Sequence, residues 1–332
     1  RPKMKKSFLL SPGPTPVPPE VLLRMARPII HHRTPEFEAT LAEAVDGLKA
    51  ILRTANDVLV LTSSGTGAME AAVANTVGAS ETALVVRCGK FSERWGEICD
   101  AFGIPFTAID VEWGESVDPQ LIRNHLDSDP SIGLVCTTQC ETSTGALTDI
   151  EAIGGIVRQA GAVLAVDAIS SAGALPIETD AWGIDLLVAG SQKALMLPPG
   201  LAVLIVSAKA WAKIDAAPVR SFYFDLKRAR RAARKGATPW TPAVTLVQGL
   251  RESLKMIQQE GIENVWARTS RYASATRAAV AALGMKLFAT CPADCVTAAE
   301  LPAGVDGSAI VKTMKNVYGV TVAGGQEHLS GK

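Results

Sequence analysis

The chain has 332 residues, of which 48% are hydrophobic and 20% are charged, and its 33 Lys and Arg residues balance 33 Asp and Glu residues. This composition predicts a globular protein with a sizeable core, long enough for one large domain and a smaller one, and argues against disorder. A net charge of zero provides no overall field that would attract nucleic acid or an anionic membrane.

Six cysteines are scattered through apolar segments, which is typical of reduced thiols in a cytoplasmic protein. Cys291 and Cys295 have a finger-like spacing, but no histidine lies near them, so we expect no metal site. No apolar run approaches the roughly 18 to 20 residues of a membrane span. The apolar stretch Phe8–Leu10 stops at Ser11, too early for a signal peptide. We therefore expect a cytoplasmic protein without a membrane partner.

Prolines at alternate positions near the start predict an extended N-terminal arm, residues 1–19, without a core of its own. Residues 20–255 are predicted to form a large domain, and residues 256–332 a small C-terminal domain. The segments Glu20–Ala26 and Glu36–Thr54 are predicted helices, because apolar residues in the second recur at close to the helical spacing.

A strand–loop–helix rhythm follows. The predicted strands are Val58–Thr62, Ala83–Arg87, Phe106–Val111, Gly133–Thr137, Ala162–Val166, Ile184–Ala189 and Ala202–Val206. The predicted helices between them are Met69–Thr76, Ser92–Phe102, Asp118–Leu126 and Asp149–Gln159. Most of the strands are continuous apolar runs, the pattern of strands buried on both faces. We therefore predict an α/β fold whose seven-stranded, mostly parallel sheet is covered by helices.

The pattern changes after residue 242. Helices are predicted at Ala243–Glu260 and Ile262–Leu283, and short strands at Met285–Phe288 and Val317–Val322. The basic run Lys227–Lys235 precedes them. A nucleic-acid site is one interpretation of this run, but it lacks interleaved aromatic residues, so a solvated helix face is preferred.

Ligands of open parallel sheets bind beyond the carboxyl ends of the strands. The loop Ser63–Ala68 follows the first predicted strand and enters a helix, which suits a phosphate, although a tight turn with a helix cap explains it equally well. Phe91 lies at the same rim, where it could stack on a flat ring or pack in the core. The polar loop Thr138–Gly145 could hydrogen-bond a ligand.

A carboxylate and a lysine follow two later strands. Asp167 ends a buried run and needs a partner, which a local helix cap could also supply. Lys193 follows the buried run Ile184–Ala189, where a desolvated amine could act as a nucleophile, although a surface position is the commoner one. A lysine, a carboxylate, a phosphate loop and a stacking ring together match the needs of pyridoxal 5′-phosphate.

Four motifs carry a resemblance to a known family. They are Ser64–Ala71, Glu141–Gly145, Val166–Ser171 and Ser191–Ala194. With them the chain resembles the class V aminotransferases of fold type I over residues 10–329, and most of all the alanine–glyoxylate, serine–glyoxylate and serine–pyruvate group. The resemblance implies pyridoxal 5′-phosphate as cofactor and a smaller C-terminal α/β domain.

The resemblance also implies site residues. Lys193 would carry the cofactor as a Schiff base, Asp167 would bind the pyridine nitrogen, and Gly13 would lie near the substrate carboxylate. The other implied cofactor contacts are Phe91 and Ile169 on the ring faces, Thr142 at the ring hydroxyl, and Thr66, Gly67, Ala68 and Gln192 at the phosphate. Thr241 would reach the phosphate of a neighbouring subunit, which implies a homodimer with a composite site.

In this family a segment like Gly325–Lys332 leads into a strand with an arginine that pairs with the substrate carboxylate. The sequence ends before that strand, so either further residues supply the arginine or substrate binding is impaired. In the second case, we expect the protein to be a catalytically idle scaffold.

The expected function is the transfer of an amino group from alanine or serine to glyoxylate or pyruvate by a ping-pong route. The family leaves other reactions open, namely those of 2-aminoethylphosphonate and ureidoglycine aminotransferases and of desulfurases or lyases. Desulfurases carry a histidine before the lysine and another on the cofactor ring, where this chain has Gln192 and Phe91.

Overall fold

The computed structural model describes residues 7–331. The α-helices of this part of the chain are α1 (Pro19–Met25), α2 (Pro35–Ile51), α3 (Gly65–Thr76), α4 (Glu93–Ala101), α5 (Pro119–Ser128), α6 (Ile150–Ala160), α7 (Ala208–Ala216), α8 (Leu226–Ala233), α9 (Val244–Glu260), α10 (Ile262–Ala282) and α11 (Gly307–Thr313). The strands are β1 (Phe8–Leu9), β2 (Asp57–Leu61), β3 (Thr82–Arg87), β4 (Phe106–Asp110), β5 (Ile132–Thr138), β6 (Cys140–Glu141), β7 (Ala146–Leu147), β8 (Val163–Asp167), β9 (Leu186–Gly190), β10 (Ala202–Val206), β11 (Lys286–Leu287), β12 (Ala299–Glu300) and β13 (Val320–Thr321).

The main sheet has seven strands in the order β2-β10-β9-β8-β5-β3-β4, so the predicted seven-stranded sheet is confirmed. Only β10 runs antiparallel to its two neighbours. The other six strands run parallel to one another, since β2 and β9 are both antiparallel to β10. Their carboxyl ends therefore meet at one edge of the sheet, where the loops after β2, β3, β5, β8 and β9 lie together.

Both faces of the sheet are buried, which explains the continuous apolar runs. In β3, Leu84 and Val86 belong to one hydrophobic cluster, whereas Ala83 and Val85 belong to the other. The first cluster includes residues of α1, α2, α5, α6 and α9, and the second includes residues of α3, α4, α7 and α8. This alternation is what a two-residue side-chain period requires when helices cover both faces.

Helix α7 was not predicted, and α8 was expected only as a solvated helix face in the basic run. Each begins at a side-chain cap, since Ser207 accepts a hydrogen bond from the amide of Ala210 and Asp225 accepts one from Arg228. Both helices are short, with nine residues in α7 and eight in α8, so each offers only about two turns of sequence in which a period can be recognised. In α8 two charges of the basic run are satisfied within the chain, because Arg228 and Arg230 pair with carboxylates.

The N-terminal arm is anchored at two places. Strand β1 pairs in parallel with β13, and the backbone of Thr15 donates to the carbonyl of Gln192 at 2.9 Å. The predicted strand Val317–Val322 is wrong in its first half, because a π-helical turn covers Met314–Tyr318 and ends at Gly319 with φ of 68°. Only Val320–Thr321 remains extended. The division into an arm, a large domain and a small domain stays a prediction.

No helix within residues 7–331 has the length and apolar character needed to cross a membrane. In the same residues, no group of three or more His, Cys, Asp and Glu side chains is placed to hold a metal ion.

Candidate active site

Lys193 and Asp167 follow two neighbouring parallel strands. Asp167 is the last residue of β8 and lies opposite Val188 of β9, and Lys193 comes three residues after the end of β9. The ammonium nitrogen Nζ of Lys193 donates to the carbonyl oxygen of Pro12 at 3.2 Å. The arm therefore forms one wall of the space around the lysine.

Gly13 is the closest point of this wall. A Cβ atom added at Gly13 would lie 2.5 to 2.6 Å from Cδ, Cε and Nζ of Lys193. Thr15 continues the contact, since its hydroxyl donates to the carbonyl oxygen of Lys193 at 2.8 Å. Gly13 thus packs directly against the side chain of Lys193, and a Cβ atom at position 13 would force that side chain to move. The predicted place of Gly13 near the substrate carboxylate stays a prediction.

Asp167 is a buried carboxyl group. The pKa of Asp167 is raised from 3.8 to about 7, mainly by burial and in smaller part by the nearby charge of Glu141, while the amide of Ile169 and the charges of Arg94 and Lys193 oppose the rise. The Ile169 amide donates to its Oδ1 atom at 2.8 Å. A cation brought against this carboxylate would stabilise its ionised form.

The pKa of Lys193 is shifted in the opposite direction. Burial lowers it from the ordinary value of 10.5, while the charge of Asp167 opposes the change. A lysine with a lowered pKa has a larger neutral fraction near neutral pH, and only the neutral amine is a nucleophile or a base. The pair thus consists of an acid held above its usual pKa and a base held below it, a combination found at active sites.

The loop after β2 lies next to the lysine loop. Helix α3 begins at Gly65, so Thr66, Gly67 and Ala68 form its first turn. Ile169 joins the two loops, because a Cβ atom at either Gly65 or Gly190 would run into its side chain. The hydroxyl of Thr66 accepts from Arg94, and the amide of Gly67 donates to the carbonyl of Ser64 at 3.0 Å. The turn is a helix N-terminus at the ligand edge of the sheet, suited to an anion.

Glu141 fixes the segment that carries Phe91. Its buried carboxylate accepts hydrogen bonds from the amides of Phe91 at 3.3 Å and Ser92 at 2.9 Å. It also accepts from the amide of Ser143 at 3.0 Å and from its hydroxyl at 2.7 Å. The loop after β3 and the loop after β5 are therefore held together by one carboxylate.

Two further predicted residues lie in these loops. The hydroxyl of Thr142 is 2.5 Å from that of Ser170. The side-chain oxygen Oε1 of Gln192 is buried and has no hydrogen-bond partner within residues 7–331. Buried polar atoms without partners are costly, so Gln192 has unused capacity for a ligand.

Thr241 lies apart from the other predicted residues. It is exposed, and it lines a small cavity together with Thr62, Tyr223 and Trp240. Within residues 7–331 no hydrogen bond joins it to the lysine loop, and its role towards a neighbouring subunit stays a prediction.

Sequence reasoning missed three residues of this site. Glu141 and Ser170 were recognised as parts of motifs without a role, and their contacts depend on loops that are distant in sequence. Arg94 was given no role, and it is partly buried against Thr66 and Phe91. Its position one turn from Phe91 was the only signal available.

Several named proteins resemble the chain over most of its length. A relative from Synechococcus sp. named soluble hydrogenase, small subunit, is 42% identical over 98% of this chain and 86% of its own length. The L-aspartate–glyoxylate aminotransferase of Paracoccus denitrificans is 38% identical over 97% of this chain and 83% of its own length. The serine–glyoxylate aminotransferase of Hyphomicrobium methylovorum is also 38% identical, over 98% of this chain and 82% of its own length.

Solved structures have the same fold. The crystal structure of alanine–glyoxylate aminotransferase from Nostoc sp. matches with a TM-score of 0.95 and 30% identity, over 100% of this chain and 90% of that protein. The class V aminotransferase family model matches residues 7–329. This chain therefore belongs to the class V aminotransferases, enzymes of fold type I that use pyridoxal 5′-phosphate.

Proposed function

We propose that this protein transfers an amino group from a small amino acid, alanine or serine, to glyoxylate or pyruvate in two half-reactions. The observation that carries the proposal is the juxtaposition of Lys193 and Asp167, whose pKa values move in opposite directions. The relatives named serine–glyoxylate and alanine–glyoxylate aminotransferase support the choice of substrates.

The site residues fit pyridoxal 5′-phosphate. The first turn of α3 and the free Oε1 atom of Gln192 would hold the phosphate. Asp167 would accept a hydrogen bond from the protonated ring nitrogen, and Thr142 would contact the ring hydroxyl. Phe91 and Ile169 would enclose the ring from its two faces. The bound cofactor supplies an electron sink for the negative charge that develops at the substrate Cα.

Lys193, Asp167 and Gly13 would then have different roles in the reaction. Lys193 would anchor the cofactor and, once displaced by substrate, would take the proton from the substrate Cα through its Nζ atom. Asp167, ionised against the ring nitrogen, would keep that nitrogen protonated. Gly13 would leave room for the lysine to move, and its backbone would lie near the substrate carboxylate.

A panel of amino donors tests the substrate class. The full natural chain, loaded with cofactor, is mixed with alanine, serine, aspartate or 2-aminoethylphosphonate, and the loss of the absorbance of the lysine-bound cofactor is followed. We expect alanine and serine to react fastest, with graded rates among small donors, because one methylene in a pocket is worth only roughly 1–3 kcal/mol. Faster reaction with aspartate or 2-aminoethylphosphonate would contradict the substrate assignment and leave the cofactor assignment intact.

The active form is proposed to be a cytoplasmic homodimer. Thr241 is exposed beside an aromatic patch formed by Phe222, Tyr223 and Trp240, and Phe222 alone is 71% exposed. Exposed apolar patches of this kind mark interfaces. In a dimer this patch would be covered, and Thr241 would reach the phosphate of the partner subunit.

A further inference from the structure

Arg94 lies between two parts of the site. It is the second residue of α4, and its Nη1 atom donates to the hydroxyl of Thr66 at 3.2 Å. Its guanidinium carbon lies over the ring of Phe91, 5.3 Å from the centroid. One planar group therefore contacts both the residue expected at the phosphate and the residue expected on the cofactor ring.

The residues on either side of Arg94 fix the position of its backbone. Trp95, the next residue, is fully buried, and the hydroxyl of Ser92 donates to the carbonyl of Gly89 at 2.9 Å. The amide of Ser92 donates to Glu141. The backbone on both sides of Arg94 is thus held by contacts that do not involve the Arg94 side chain. The Cα atom from which the side chain extends therefore has a fixed position.

Arg94 has no anionic partner in the described part of the chain. The neighbouring Glu93 pairs with Lys90, and no ion pair joins a carboxylate to Arg94 within residues 7–331. A partly buried cation without a carboxylate, one hydrogen bond away from a helix N-terminus, is a favourable neighbour for a phosphate. The same charge opposes the rise that burial causes in the pKa of Asp167.

We propose that Arg94 is a positioning residue of the cofactor site, which orients the Thr66 hydroxyl towards the phosphate and holds the Phe91 ring flat for stacking. The guanidinium occupies one side of the Phe91 ring and leaves the other side to the cofactor. Lysine cannot replace it, because an ammonium group is a point charge without the planar fork needed to stack and donate at once. The proposal deepens the assigned cofactor site and does not depend on which amino donor is used.

Cofactor affinity provides the test. The dissociation constants of pyridoxal 5′-phosphate and of phosphate-free pyridoxal are measured on the cofactor-free full chain by the quenching of protein fluorescence. We expect Arg94→Gln to weaken pyridoxal 5′-phosphate about tenfold, from the combined loss of a cation–π contact and a hydrogen bond. Arg94→Lys should restore only a small part of this loss. The loss should be smaller for pyridoxal, which lacks the phosphate.

Double-mutant cycles separate positioning from charge. Arg94→Gln is combined with Thr66→Val and with Phe91→Leu, and we expect its effect to shrink in each background, because the contact it supports is already gone. Arg87→Gln is the matched control, since Arg87 pairs with Asp110 at 2.7 Å and touches neither Thr66 nor Phe91. It should leave both dissociation constants unchanged.

Three results would overturn the proposal. Additive effects in both cycles would mean that Arg94 acts independently of Thr66 and Phe91. Full rescue by lysine would reduce its role to charge alone. An unchanged cofactor affinity, with a raised KM for aspartate only, would make Arg94 a contact for a second substrate carboxylate. Each of these outcomes leaves the proposed amino transfer itself standing.

Discussion

At the level of single residues, burial of the Asp167 carboxyl group makes the stability of the cofactor-free protein depend on pH. Its pKa in the folded protein, about 7, lies above the ordinary value of 3.8, so the carboxyl group of the cofactor-free native state is mostly protonated below about pH 7. The stability contributed by this group is complete below pH 3.8 and is lost as the pH rises to about 7. The protonated ring nitrogen of a bound cofactor would pair with the ionised carboxylate and so offset this loss of stability.

We predict that Asp167→Asn stabilises the cofactor-free protein more at pH 8 than at pH 5. The difference between the two pH values should reach up to about 3 kcal/mol of unfolding free energy, because asparagine cannot ionise. Urea unfolding at both pH values measures it. The same variant, loaded with cofactor, should transfer amino groups slower by orders of magnitude. An equal effect of the substitution at pH 5 and pH 8 would contradict the assignment of the pKa.

The close contact between Gly13 and the Lys193 side chain leads to a prediction about the reaction rate. A methyl group at position 13 would overlap the side chain of Lys193, so we expect Gly13→Ala to lower the rate of the first half-reaction at least about tenfold while the protein still folds. Stopped-flow absorbance measures the rate. Gly155→Ala is the control, because a Cβ atom there meets nothing within 4 Å. Equal rates for Gly13→Ala and the wild type would show that the arm does not confine the lysine.

Several residue identities could be predicted from the sequence because they follow strands. Lys193, Asp167 and Thr66 each come just after a continuous apolar run, and the parallel sheet brings such positions to one edge. Glu141 and Arg94 could not be found in this way. Their partners, Ser92 and Thr66, belong to other loops, and only the packed structure shows these contacts.

At the level of elements, the seven strands of the main sheet were predictable from the sequence, whereas the short helices α7 and α11 were not. A strand such as β5 is buried along its whole length, so its sequence is a continuous apolar run. Helix α7, by contrast, buries only Ala210, Trp211 and Ile214 among its nine residues, so its apolar pattern is short. The turn at Met314–Tyr318 contains no buried residue, so its sequence has no burial pattern that separates a helix from a strand.

The loops after β3 and β5 should act as one unit through Glu141. We predict that Glu141→Gln destabilises the protein by about 1–3 kcal/mol, since a neutral amide replaces a buried carboxylate that accepts from backbone amides. Urea unfolding measures the loss, and cofactor affinity should fall with it because Phe91 is released. Glu70→Gln, on the neighbouring helix α3, is the control. Full stability of Glu141→Gln would show that the two loops do not depend on this carboxylate.

At the level of the whole molecule, the exposed aromatic patch predicts assembly. We expect the wild type to sediment as a dimer at micromolar concentration and Phe222→Asp to shift it towards the monomer, with cofactor affinity reduced because Thr241 is withdrawn from the partner's site. Leu121→Asp is the control, since Leu121 is also an exposed apolar residue, at 43%, but lies on α5. A wild type that sediments only as a monomer with cofactor bound would refute the composite site.

The central claim is that Lys193 carries the cofactor, and reductive trapping tests it most directly. The full natural chain is loaded with pyridoxal 5′-phosphate, reduced with borohydride, digested and mapped by mass spectrometry, beside Lys193→Ala and the exposed-lysine control Lys255→Ala. We predict one stoichiometric adduct on Lys193 in the wild type and in Lys255→Ala, and none in Lys193→Ala. A stoichiometric adduct on another lysine of the wild type would contradict the account.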